Sequence, residues 1–105
     1  MNIIKNLYQK TSFYYVNKIS DYCNDSPEID IAFFSSIEKC NSFIENDIEE
    51  LKKEVLLSYD CDEKDIKIIK SKNVVKVEIK ECRDIFIYEI VKATVNENKL
   101  RSIYF

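Results

Sequence analysis

Hydrophobic and polar positions change period several times along the chain, and each change marks an element. FYYVNKI, residues 13–19, is dense in aromatic and β-branched side chains and predicts a strand. SDYCNDSPE follows with the only proline and predicts the loop of an extended hairpin. IDIAFF, residues 29–34, sets Ile29, Ile31 and Phe33 against Asp30, Ala32 and Phe34, and predicts the second strand.

From Ile37 the period lengthens. Ile37, Cys40, Ile44, Ile48, Leu51 and Val55 step by three or four, with Phe43 beside them, which predicts a helix from residue 36 to about residue 57. Ser35 and Glu38 predict a capping box at its start: the hydroxyl accepts from the Glu38 N–H while the carboxylate accepts from the Ser35 N–H.

Beyond SYDCDEKD, residues 65–70 (DIKIIK), 74–80 (VVKVEIK) and 85–95 (IFIYEIVKATV) predict three strands. The connections SKN and ECRD are short enough for hairpins, so an antiparallel meander is expected. Val75, Val77 and Ile79 alternate with Lys76, Glu78 and Lys80, as in a sheet with one covered face. The last strand is apolar on both faces apart from Glu89 and Lys92, which predicts a central position. The fold class that follows is α+β, a two-layer sandwich in ββαβββ order. A mainly antiparallel sheet of about five strands carries one long helix on one face, in a single domain over residues 1–105.

Composition removes whole classes of chemistry. Histidine is absent, so there is no His general base, no Ser-His-Asp or Cys-His nucleophile and no His-containing zinc site. Glycine is absent too, which excludes the glycine loops that cradle phosphates in Rossmann and P-loop proteins and leaves every positive-φ turn to Asn or Asp. Cys23, Cys40, Cys61 and Cys82 contain no C-x-x-C pair, so neither a metal site nor a disulfide framework is expected, and Cys40 on the apolar helix face reads as a small hydrophobe. No cofactor and no enzymatic activity are expected. Ile, Lys and Asn make up over a third of the residues while Ala and Arg occur twice each, the usage of a very AT-rich genome, bacterial or phage. With no run near the roughly 20 apolar residues that span a bilayer, and no uninterrupted apolar stretch in MNIIKNLYQK, the expectation is a cytoplasmic protein with no membrane partner.

Charge is laid down in blocks: residues 1–23 carry +2, residues 24–65 carry −9 and residues 66–105 carry +4, together the net −3 of the chain. The middle block predicts an acidic side made of Glu45, Asp47, Glu49, Glu50, Glu54, Asp60, Asp62, Glu63 and Asp65, able to dock a protein partner with a basic surface. The plainer account of the same residues is a solvated helix face. DCDEKD has four carboxylates but neither the glycine nor the distal Glu of a calcium loop, so it is expected to link helix to strand. The meander lysines near Phe86 and Tyr88 suggest a single-strand platform, but a pI of about 5.0 and two arginines argue against nucleic acid.

Both ends are apolar, with Ile3, Ile4, Leu7 and Tyr8 on one side and Leu100, Ile103, Tyr104 and Phe105 on the other. Two readings stand for them, docking over the open side of the sheet or burial in a homodimer. The oligomer interface expected in the second case comprises Phe86, Tyr88, Leu100, Ile103 and Tyr104.

FYYVNKI through IDIAFFSSIEKCNSFIE, within residues 13–57, resembles a pattern in small accessory proteins of AT-rich bacteria and their phages: strand, loop, a strand ending in F-S-[ST], and a helix opening with E-K. The resemblance implies an accessory protein without catalysis and carries over no functional residues. Together these readings predict a non-enzymatic protein-binding module, an inhibitor of a basic or nucleic-acid-binding partner in the manner of anti-CRISPRs or immunity proteins. A structural homo-oligomer and a small-ligand or nucleotide sensor with a pocket between helix and sheet are the alternatives.

Overall fold

The computed structural model describes residues 11–23, 25–58, 61–80 and 82–95. Its elements are β1 (Thr11–Asp21), β2 (Glu28–Phe34), α1 (Ile37–Ser58), a 3₁₀ turn (Glu63–Asp65), β3 (Ile66–Lys70), β4 (Val74–Ile79) and β5 (Ile85–Val95). The strands form one antiparallel sheet in the order β2-β1-β5-β4-β3, with the helix on one face, the α+β arrangement the periodicity predicts. The two-sided apolar strand β5 is central, as its sequence predicts.

Chain order explains the crossing of the helix. It leaves β2 at one edge and delivers the chain to β3 at the other. A helix of 22 residues is about 33 Å long, enough to cross the roughly 19 Å that separate the edge strands of a five-stranded sheet. Cys40, Ile44, Ile48 and Val55 meet Val16, Val77, Ile79, Phe86 and Tyr88 in the core. Cys40 is fully buried, and burial pushes its thiol pKa up.

The helix starts differently from the predicted capping box. Ser36, not Ser35, is the cap: its hydroxyl accepts from the Lys39 N–H at 3.2 Å and its carbonyl from the Cys40 N–H at 3.2 Å. The Ser35 hydroxyl instead accepts from Lys39 Nζ at 3.0 Å. The reason lies in β2, which stays extended through Phe34 and shifts the first helical residue to Ile37.

Phe86 and Tyr88 sit beneath the helix, both buried, at 3% and 0% exposure. They are therefore core residues, and their assignment to an oligomer interface is corrected. Even-numbered positions of β5 face α1, so the side left for another molecule is that of Ile85, Ile87, Val91 and Ala93. Leu100, Ile103 and Tyr104 lie outside the described residues, as do Ile3, Ile4, Leu7, Tyr8 and Phe105.

Candidate functional site

Register places the odd-numbered residues of β1 and β2 on the sheet face away from the helix. Tyr15 lies between Phe33 and Val91, Asn17 between Ile31 and Glu89, and Ile19 between Ile29 and Ile87. Phe13 and Ala93 extend the patch toward the far end of β1. Along β2 the exposures are 64% for Ile29, 54% for Ile31 and 67% for Phe33. The more apolar register of this strand thus faces outward, while only its Phe34 end packs under the helix, on Phe43 with ring centroids 5.2 Å apart. Phe33 stacks obliquely on both Phe13 and Tyr15 at 5.8 Å.

An 11-residue strand is about 36 Å long, and three adjacent strands are about 14 Å wide. With seven residues in β2 the flat footprint is about 450 Å², Asn17 and Glu89 included, within the about 300–600 Å² of the largest apolar patch on ordinary monomers. At its centre Asn17 Oδ1 is buried and accepts no hydrogen bond among the described residues. A polar corner borders the patch on β4, where Lys76 and Glu78 pair at 3.0 Å.

The acidic side is real but smaller than its sequence suggests. Glu45, Glu49, Glu50 and Glu54 are exposed on α1, and Asp62 and Glu63 are exposed in the following turn. Neighbouring lysines moderate them: Lys52 lies 3.7 Å from Glu49, Lys53 3.9 Å from Glu50 and Lys64 3.8 Å from Asp62. Such exposed pairs contribute little to stability. Asp60 lies outside the described residues.

Two acidic residues are turned to other uses. Asp47 Oδ2 accepts from Tyr88 Oη at 2.6 Å and pairs with Lys18 Nζ at 2.7 Å, so it clasps the helix to β1 and β5. Lys18 Nζ also lies over the rings of Phe86 and Tyr88, at 5.8 and 5.6 Å. Burial first, and the Asp47 carboxylate second, push the Tyr88 hydroxyl pKa well above its ordinary value. Asp65 Oδ2 accepts the Asp62 N–H at 2.9 Å and braces the 3₁₀ turn, the linking duty predicted for DCDEKD. Among the described residues no group of three or more Cys, Asp or Glu is placed to hold a metal ion.

A cavity of about 400 Å³ opens at the end of the sheet, between the 3₁₀ turn and the β4–β5 connection. Lys64, Lys67, Lys80 and Arg83 line it together with Asp65, Glu78 and Asp84. The gap between helix and sheet is smaller, about 140 Å³, below the roughly 300 Å³ at which small-molecule sites begin. No described helix is long and apolar enough to cross a membrane. No family model, curated protein or solved structure matches the chain.

Proposed function

We propose that the protein is a non-enzymatic protein-binding module that pairs with a second copy through its open sheet face and turns its acidic helix side outward to a partner of basic surface. The observation that carries this reading is the apolar patch on β2, β1 and β5, with Ile29, Ile31 and Phe33 more than half exposed and only Asn17 and Glu89 as polar members.

Two features favour a second copy as the occupant. With the polar β4 and β3 margin added, the face covers about 600 Å², the lower end of specific interfaces at about 600–1,000 Å² per partner. Its charges include both signs, Lys76 and Glu78 already paired, so two copies do not repel strongly.

Glu45, Glu49, Glu50 and Glu54 then lie on the outer surfaces of the pair, where they can steer a basic protein. Sequestration of such a partner suits a small accessory protein, and a counter-defence or immunity role is the form of it that we favour. Sedimentation equilibrium over micromolar concentrations tests the pairing. A dimer that Phe33→Glu and Ile31→Glu convert to a folded monomer is the expected result. A wild-type chain that is monomeric throughout, with the face covered by residues 1–10 or 96–105, overturns it.

A further inference from the structure

The cavity at the end of the sheet has a feature that composition alone hides: its carboxylates are engaged and most of its cations are not. Asp65 accepts the Asp62 N–H at 2.9 Å, Glu78 is paired with Lys76 at 3.0 Å, and buried Asp84 accepts the Cys23 N–H at 3.2 Å. Lys67, Lys80 and Arg83 are exposed and have no ion-pair partner among the described residues. Lys64 adds a fourth cation, 3.8 Å from exposed Asp62.

The frame around these cations is fixed by backbone bonds. Lys80 N–H donates to Asp65 O at 2.9 Å, which ties the β4–β5 connection to the 3₁₀ turn. Arg83 N–H donates to Ile79 O at 2.9 Å, and Ile79 N–H to Asp84 O at 3.0 Å. The Cys23–Asp84 bond anchors the same connection to the end of β1. Arg83 itself has φ 64°, the left-handed region, which corrects the expectation that a positive-φ turn here uses Asn or Asp. Asn and Asp tolerate that region better than Arg does, and Asn is abundant in this chain. An arginine held there places a guanidinium at the cavity at some conformational cost.

We infer that this cavity is a binding site for a small phosphate-bearing ligand, held by Lys64, Lys67, Lys80 and Arg83 against the apolar Ile79 and Ile85. Guanidinium and ammonium groups bind phosphate oxygens through charge-assisted hydrogen bonds. A volume of about 400 Å³ lies in the range of small-molecule sites, about 300–1,000 Å³. The apolar wall leaves room for an organic group beside the phosphate. Lys67, Glu78 and Ile85 lie on the open sheet face, so the cavity shares the β3–β4 margin with the proposed pairing surface, and ligand binding and pairing are read separately, by titration and by sedimentation.

Amide NMR titrations of the full chain with inorganic phosphate, pyrophosphate and ADP test the inference at fixed ionic strength. Saturable shifts confined to residues 64–67 and 79–85, with pyrophosphate or ADP, are expected. Tighter binding of ADP than of pyrophosphate marks a nucleotide-like ligand, and equal binding marks the phosphate alone; both support the site. Arg83→Gln and, independently of that turn conformation, Lys67→Gln should each weaken binding by about tenfold, whereas Lys70→Gln, outside the cavity, should leave it unchanged. No saturable shift at millimolar ligand, or equal weakening by Lys70→Gln, overturns it. So does a single-stranded oligonucleotide whose shifts run along Lys67, Lys70 and Lys72 instead of into the cavity.

Discussion

Tyr88 on β5 donates its hydroxyl to Asp47 on α1 at 2.6 Å, the bond through which the central strand holds the helix. Lys18, directly across the ladder from Tyr88, pairs with the same carboxylate oxygen at 2.7 Å. The residue that looks most like part of a charged outer face is thus the polar link inside the helix–sheet contact.

Tyr88→Phe removes the donor and leaves Asp47 with Lys18. Hydrogen bonds to charged groups contribute about 1.5–3 kcal/mol, so chemical denaturation at pH 7 should show a loss of about 2 kcal/mol. An unchanged unfolding midpoint would show that the clasp is incidental.

The same bond has a pH dependence. The Tyr88 pKa is raised in the folded protein, because burial and Asp47 both oppose the phenolate. Its contribution to stability is complete below the unfolded pKa of about 10 and is lost as pH rises beyond it. Cys40 and Cys82, whose thiols burial also pushes up from 9.0, add a loss beginning near pH 9. Unfolding free energy should therefore fall steeply in alkali, and Tyr88→Phe should flatten the part above pH 10. Parallel wild-type and mutant profiles would contradict this.

Helix capping separates two adjacent serines. Ser36→Ala removes the acceptor of the Lys39 N–H and should cost about 1 kcal/mol, whereas Ser35→Ala loses only an exposed contact with Lys39 Nζ and should stay within about 0.5 kcal/mol of wild type. Thermal unfolding of the two variants decides which hydroxyl caps the helix.

At the centre of the open face, Asn17→Val removes the donorless acceptor. The variant should gain about 1–3 kcal/mol in stability, because no acceptor is left buried without a donor, and association should tighten, because an apolar side chain replaces the amide between Ile31 and Glu89. Chemical denaturation should show the gain and sedimentation a stronger dimer. Unchanged stability with weaker association would contradict this.

Most of the fold is legible from short-range pattern. The bounds of β5 and its central place follow from two apolar faces, and the helix from the spacing of Cys40, Ile44, Ile48 and Val55. What pattern does not reveal is which of two apolar registers the helix covers. In β2, Ile29, Ile31 and Phe33 look like core yet face outward, because the helix crosses near Phe34 and leaves the edge strand uncovered. In β5, Phe86 and Tyr88 look like a second face for another chain yet are covered. Asp47 could have been suspected from its place one residue before Ile48, near the apolar stripe, but its partners are 29 and 41 positions away in sequence. The cavity cations come from the 3₁₀ turn, β3 and the β4–β5 connection, and only the ladder brings them together.

The pairing of two open faces is tested most directly by isotope-filtered nuclear Overhauser spectroscopy on an equal mixture of labelled and unlabelled chains. Intermolecular contacts from the methyl groups of Ile29, Ile31, Ile19 and Val91 to aromatic protons of Phe13, Tyr15 and Phe33 on the other copy are the predicted result. Intermolecular contacts confined to exposed α1 residues such as Leu57, or none at all from the open face, would contradict it.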